Sequence, residues 1–276
     1  MRYILKKAHF IIIIVCLLGQ IGVQASPGWM KGEKDEKSLS ELTILGTHNA
    51  CALYGGNYAA CQSIGLVEQL KLGVRFLDIR CQWKNNDLNI VHGFVDQKMK
   101  FSEVVKICGD FLKNNPSETI MMSVMEQSSK SRQKGDFGKK FRELMDEGLR
   151  DRYEDASIPK LGDVRGMVVV VSRNNEVKGL PWRAFQIQDA FKIGRGNSIE
   201  DKWSKITKHF ERAEKSNKPH INFVSCTGIF YPPNSTAKIL NPKLINYLRE
   251  NREKKLGIIL VDFVSGEIAK ELVLAE

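Results

Sequence analysis

No Cys-x-x-Cys pair occurs in this chain, and its five histidines, His9, His48, His92, His209 and His220, share no spacing at which two neighbours hold one ion. Those two absences remove the usual sequence signatures of a structural zinc site. Beyond the first 25 residues no run approaches the roughly 20 apolar residues that cross a bilayer. Internal repeats and long low-complexity linkers are also missing, which excludes solenoids and propellers. Acidic residues are outnumbered, 32 against 42 basic ones, for a formal charge of +10. Such a balance favours anionic surfaces, the alternative being a basic surface that serves solubility alone.

What the chain does have begins with Arg2, Lys6 and Lys7 ahead of "FIIIIVCLLG", with "VQA" before Ser26. A basic start, a short apolar run and a small-residue site read as a secretory signal over 1–25; an uncleaved anchor is the alternative. The mature chain is then expected to be secreted and to carry a charge of +7, since 1–25 holds three basic residues and no acidic one. Residues 26–40, with "KGEKDEKS", read as a solvated leader, and 41–276 as one catalytic domain. Cys51 and Cys61 flank "ALYGGNYAA", a loop that an exported chain can close with a disulfide.

Short apolar runs alternate with amphipathic stretches along the rest. Strands are expected at 42–47, 73–79, 88–92, 119–125, 167–172, 185–189, 220–225 and 256–263, and helices at 102–115, 136–151, 199–215 and 242–255, with Trp203 in a helix core. Eight nearly continuous apolar strands separated mostly by helices predict a parallel α/β barrel in a single domain. The carboxyl ends of barrel strands face one mouth, where such barrels do their chemistry. His48, Asp78, Arg80, His92, Arg173, Asp189 and Asp262 all fall at or just past an expected strand end. Two imidazoles that titrate near neutrality can take up and deliver a proton in one turnover. A guanidinium stays charged and grips phosphate oxygens, and an acid beside a histidine fixes its tautomer. Together they point to cleavage of a phosphodiester.

The segments "ILGTHNA", "QLKLGVRFLDIR", "VHG", "FLKNNPSETIMMSV", "VRGMVVVVSR", "IQDAFK", "HINFVS", "INYLRE" and "GIILVDF" occur in that order. In them the chain resembles the bacterial-type phosphatidylinositol-specific phospholipases C over nearly all of its mature length. The resemblance implies a distorted, imperfectly closed (β/α)8 barrel of the TIM type that cleaves phosphatidylinositol to diacylglycerol and a cyclic inositol phosphate. It makes His48 the general base with Asp262 orienting it, His92 the general acid, and Arg80 the phosphate holder with Asp78 beside it. Asn49, Arg173 and Asp189 would contact the substrate, and Phe191 stands where the family often stacks a tyrosine. Two departures are visible: Asn49 replaces an aspartate that assists the second histidine, and Met125 replaces a lysine. Arg80 occupies a position that is a calcium-binding carboxylate in the larger eukaryotic enzymes, so no metal or other cofactor is expected. A calcium-dependent variant is the alternative, because Asn49 matches the eukaryotic calcium pattern.

A soluble enzyme with a substrate in a bilayer needs an apolar rim. "CTGIFYPPN" (226–234) offers Ile229, Phe230 and Tyr231 for that purpose, unless they fold back over the barrel. The expected partner is a phosphatidylinositol-containing membrane surface met by a monomer, with no nucleic acid involved. A non-catalytic lipid-binding barrel and a metal-dependent glycerophosphodiester hydrolase are the competing readings. The first has no use for an acid and a base, and the second needs a carboxylate cluster that Asp-x-Arg does not supply.

Overall fold

The structure is a computed structural model and describes residues 27–127, 133, 135–149, 152–194 and 196–273. The expected signal, 1–25, lies outside them. In chain order the strands are β1 (Ile44–Thr47), β2 (Phe76–Lys84), β3 (Asp87–His92), β4 (Val95–Lys100), β5 (Ile120–Glu126), β6 (Arg152–Tyr153), β7 (Val168–Ser172), β8 (Leu180–Pro181), β9 (Gln186–Gln188), β10 (His220–Phe223) and β11 (Ile258–Val261). The helices are α1 (Gly56–Ala59), α2 (Leu66–Lys71), α3 (Phe101–Asn114), α4 (Asp136–Gly148), α5 (Ile199–Glu214), α6 (Pro233–Glu250) and α7 (Gly266–Val273).

The strands pair in the order β6-β7-β5-β2-β1-β11-β10-β9, every neighbour parallel. Among the described residues β6 and β9 do not pair, so the curled sheet is an open barrel. Side chains alternate faces along a strand, and each face has its own core. Leu77, Ile79, Met122, Val124 and Val170 point outward into a cluster with Phe101, Phe141, Ile206 and Leu244 of the helices. Ile44, Phe76, Met121, Val169, Ile221 and Ile258 point inward and fill the lower barrel. Stepping up by two residues from that layer reaches Gly46, Asp78, Ser123, Val171, Phe223 and Leu260. Another step reaches His48, Arg80, Met125, Arg173, Ser225 and Asp262, so one apolar floor and one polar rim follow from the period of two.

Gly46 is required by this layering. A methyl group there would sit 2.5 Å from Leu260 Cδ2 and 3.0 Å from the Phe76 carbonyl oxygen.

Three expectations are corrected. "LNIVH" is no barrel stave: β3 runs antiparallel to both β2 and β4. β2 outruns the barrel and turns through Asn85 and Asn86, both at φ 56°, a two-residue hairpin with the left-handed turn residues such loops favour. The last long helix begins at Pro233, well before 242, and carries Pro242 within it. Proline suits the first helical turn, while the interior proline makes the segment read as a break. The leader is also structural: Met30 and Leu39 are fully or almost fully buried in the floor of the barrel beside Phe76, while the charges between them stay at the surface. Trp203 does pack against the outer core, edge to face with Tyr247.

Beneath the floor, Arg75 and Glu118 form a wholly buried pair. Arg75 Nε and Nη2 each lie 2.9 Å from Glu118 Oε2, and Nη1 donates to the carbonyls of Leu70 and Val74. Burial, against the opposing pull of Glu118, lowers the Arg75 pKa to about 10. Removing one partner of a buried pair strands the other charge. Glu118→Gln is therefore expected to lower stability by about 3–5 kcal/mol in equilibrium urea unfolding. A loss below about 1 kcal/mol would show that Arg75 is satisfied by the carbonyls alone.

Candidate active site

A cavity of about 330 Å³ opens at the carboxyl ends of the strands, and His48, Arg80, His92, Arg173, Asp189, Phe191 and Asp262 all line it. His48 follows β1 and is held by its backbone N–H on the Val261 carbonyl, 3.0 Å away. Its Nδ1 donates to Asp262 Oδ1 at 2.7 Å. That contact leaves Nε2 as the basic nitrogen, where Asn49 Nδ2 donates at 3.0 Å. Across the cavity His92, the last residue of β3, donates from Nδ1 to the Ala59 carbonyl at 2.7 Å, so its Nε2 is the nitrogen free for proton transfer. The two rings lie 6.4 Å apart, edge to face. Burial lowers the His92 pKa, the Ala59 carbonyl opposes that, and the neighbouring His48 and Arg80 depress it further.

Asp78 and Arg80 share the inner face of β2 because they are two residues apart. Asp78 lies below the cavity wall. Its Oδ2 accepts from Arg80 Nη2 (3.0 Å), Arg80 Nε (3.2 Å) and the Asn49 N–H (3.2 Å), and its Oδ1 from Ser123 Oγ and Arg173 Nη1, both at 3.0 Å. Burial alone would raise this carboxyl, but Arg80, Arg173 and His48 hold it well below the usual carboxylate range. In return Asp78 outweighs the effect of burial on Arg80 and raises the Arg80 pKa. Arg173 also spreads over the Trp182 ring at 4.1 Å. The result is one anionic anchor aiming two guanidinium groups.

Asn49 and Asp78, read from the sequence among the substrate-contacting and catalytic residues, stand behind the wall and position others. Asn49 is 3% exposed, against His48 and Cys61. Cys51 and Cys61 are free and buried, so the anticipated disulfide is not formed. Sequence reasoning missed Tyr58, Cys61 and Ser225 in the lining, as well as Trp182 under Arg173. Ser225 was recoverable from the inner-face series 221, 223, 225; Tyr58 lies in the single turn of α1 and Cys61 just after it, a stretch too short for a period to help. Ile229 and Phe230 are 82% and 87% exposed and do not fold back over the barrel. Tyr231 is less exposed, and Phe94, at 95%, is a further exposed aromatic that the sequence did not single out.

Residues 36–174, just over half of the chain, match the model of the phosphatidylinositol-specific phospholipase C X domain. The chain belongs to that family. A relative from Listeria monocytogenes serovar 1/2a, named 1-phosphatidylinositol phosphodiesterase, is 29% identical over 89% of this chain and 83% of its own length. One of the same name from Staphylococcus aureus (strain NCTC 8325 / PS 47) is 24% identical over 95% and 94%. The solved phosphatidylinositol-specific phospholipase C from L. monocytogenes superposes with a TM-score of 0.81 at 26% identity, over 92% of this chain and 99% of that one. An S. aureus phosphatidylinositol-specific phospholipase C structure, at 21% identity and a TM-score of 0.78, shares the fold. The family's TIM-like barrel is thus the architecture of this chain.

Proposed function

We propose that this X-domain protein is a secreted phospholipase C that cleaves phosphatidylinositol to diacylglycerol and a cyclic inositol phosphate, using His48 as base and His92 as acid. The observation that carries the reading is the convergence of His48–Asp262, His92 and the Asp78-anchored Arg80 on one cavity. The inositol 2-hydroxyl takes the place of Asn49 at His48 Nε2, loses its proton there, and attacks phosphorus. Charge on the phosphate oxygens falls to Arg80, a preorganised donor. The bond from phosphorus to the glycerol oxygen breaks as His92 Nε2 delivers a proton to that oxygen. The anionic phosphate favours the protonated imidazole, offsetting the depression of the His92 pKa. Arg173, Asp189 and Phe191 line the side left for the inositol ring.

We further propose that turnover needs no calcium. Both Asp78 oxygens already accept from the two arginines and their neighbours, and a guanidinium stands where a hard cation would want oxygen ligands. Every one of these groups comes from a single chain, which supports action as a monomer. Export rests on the basic, apolar and small-residue pattern of 1–25. Among the described residues no helix is long and apolar enough to cross a membrane.

The test is head-group choice: diacylglycerol released from phosphatidylinositol vesicles and none from phosphatidylcholine vesicles supports the reading. Equal release from both would sink it. Ile229 and Phe230 would enter the membrane surface, and burying a phenylalanine side chain contributes roughly 1.5–3 kcal/mol. Phe230→Ala should therefore weaken partition onto phosphatidylinositol vesicles about tenfold or more, measured by sedimentation. An unchanged partition would remove this loop from the membrane contact.

A further inference from the structure

The catalytic scheme leaves a thiol in the wall, beside His48, without a task. Cys61 is buried, unpaired and part of the cavity lining, and phosphodiester cleavage by two histidines has no step for a thiol. One ring nitrogen of His48, Cys61 Sγ and one carboxylate oxygen of Asp262 lie within 4.8 Å of one another. We propose that these three residues form a site for a borderline-soft divalent cation of the zinc class, and that its occupation turns the enzyme off.

The three ligands are held together by the backbone around them. The Phe263 N–H donates to the Cys61 carbonyl at 2.7 Å, and Cys61 N–H donates to Ala52 at 2.8 Å. Next to it, Gln62 Nε2 donates to the carbonyls of His48 (2.9 Å) and Val261 (3.0 Å), while its Oε1 accepts from the Val264 N–H at 3.1 Å. Residues 61–62 are thereby stitched between the segment bearing His48 and the segment bearing Asp262. Around a tetrahedral ion with bonds of about 2.0–2.3 Å, donors sit roughly 3.3–3.8 Å apart. The 4.8 Å limit on the present spread exceeds that spacing by about 1 Å, the distance that side-chain rotation has to close on binding.

A second observation concerns Asn49. Its Oδ1 is buried and accepts no hydrogen bond, while Nδ2 of the same amide lies 3.0 Å from His48 Nε2 and 3.5 Å from Cys61 Sγ. Turning the amide over keeps its shape and presents the unsatisfied oxygen to the same two atoms, which supplies a further donor. A set of one nitrogen, one sulfur and one or two oxygens suits zinc and its neighbours and is poor for calcium or magnesium. Entry of the ion expels the thiol proton to solvent and forms the metal–sulfur bond. His48 and Asp262 then serve the ion, and the general base is lost to catalysis. Inhibition rests on the proposed function; binding does not.

Cobalt(II) separates the two. Titrated into the purified mature chain, it should give a near-ultraviolet thiolate-to-cobalt absorption that saturates at one ion per chain. Cys61→Ser should abolish the band, whereas Cys226→Ser, at the other lining cysteine, should keep it. In parallel, zinc should suppress diacylglycerol release reversibly, with a chelator restoring it. Cys61→Ser, compared with its own metal-free rate, should need roughly 10–100-fold more zinc for the same inhibition. No thiolate band in the parent chain, or a Cys61→Ser variant as sensitive to zinc as the parent, would overturn the proposal. A band in a chain that releases no diacylglycerol without metal would uphold the site and overturn the enzymatic reading.

Discussion

Alanine at His48 or at His92 is expected to lower turnover of phosphatidylinositol by about 10²–10⁴-fold each. His48 is the only group among the described lining residues whose basic nitrogen is set by a carboxylate: Asp262, 2% exposed, accepts a hydrogen bond from its Nδ1–H at 2.7 Å. Deleting the ring removes the base and leaves Asp262 without that partner, so the variant's folding needs to be checked by thermal melting. His92 has no such carboxylate; its anchor is the Ala59 carbonyl. In the proposed mechanism its loss removes the proton donor for the glycerol oxygen while the base remains. Since the proposed mechanism has the two acting in one transition state, the double variant should fall far short of the product of the single losses. Steady-state rates on phosphatidylinositol vesicles check this. A single variant with near-full rate would take that histidine out of the mechanism.

Arg80→Lys is the second large effect, expected at about 10²–10³-fold in kcat, the range seen when one preorganised donor to a developing oxyanion is removed. The guanidinium lies with Nε and Nη2 on Asp78 Oδ2. That pairing fixes the plane of the fork and leaves Nη1 for the phosphate. Lysine keeps the charge but has neither the plane nor the second donor. KM should change less than kcat, since the group acts mainly on charge that grows during reaction. An unaffected kcat would mean that Arg173, the other guanidinium on Asp78, holds the phosphate.

The barrel was legible because its staves are short and apolar on both faces, as "VVVVS" and "IILV" are. The rim was legible because polar residues interrupt those runs at the carboxyl ends. His48, Arg80, Arg173 and Asp262 are each four residues above a residue of the apolar floor, on the same face. What the period of two cannot supply is direction. It gave "LNIVH" the look of a stave, although the hairpin through Asn85 and Asn86 turns that strand back against β2 and so carries His92 to the mouth. Depth was also hidden. Asp78 and Asn49 sit in the same sequence segments as groups that reach the cavity, yet Asp78 is spent on two arginines and Asn49 on His48. The single turn of α1 and the segment after it carry no readable pattern, so Tyr58 and Cys61 emerged only once α1 was placed beside the cavity.

The measurement that bears most directly on the central claim is the release of cyclic inositol phosphate from phosphatidylinositol vesicles by the purified mature chain, with and without a calcium chelator. The two-histidine, arginine-assisted reading predicts a cyclic product at a rate that chelation does not lower. Product that disappears on chelation would contradict it, because Arg80 could not then be the group that carries the phosphate charge.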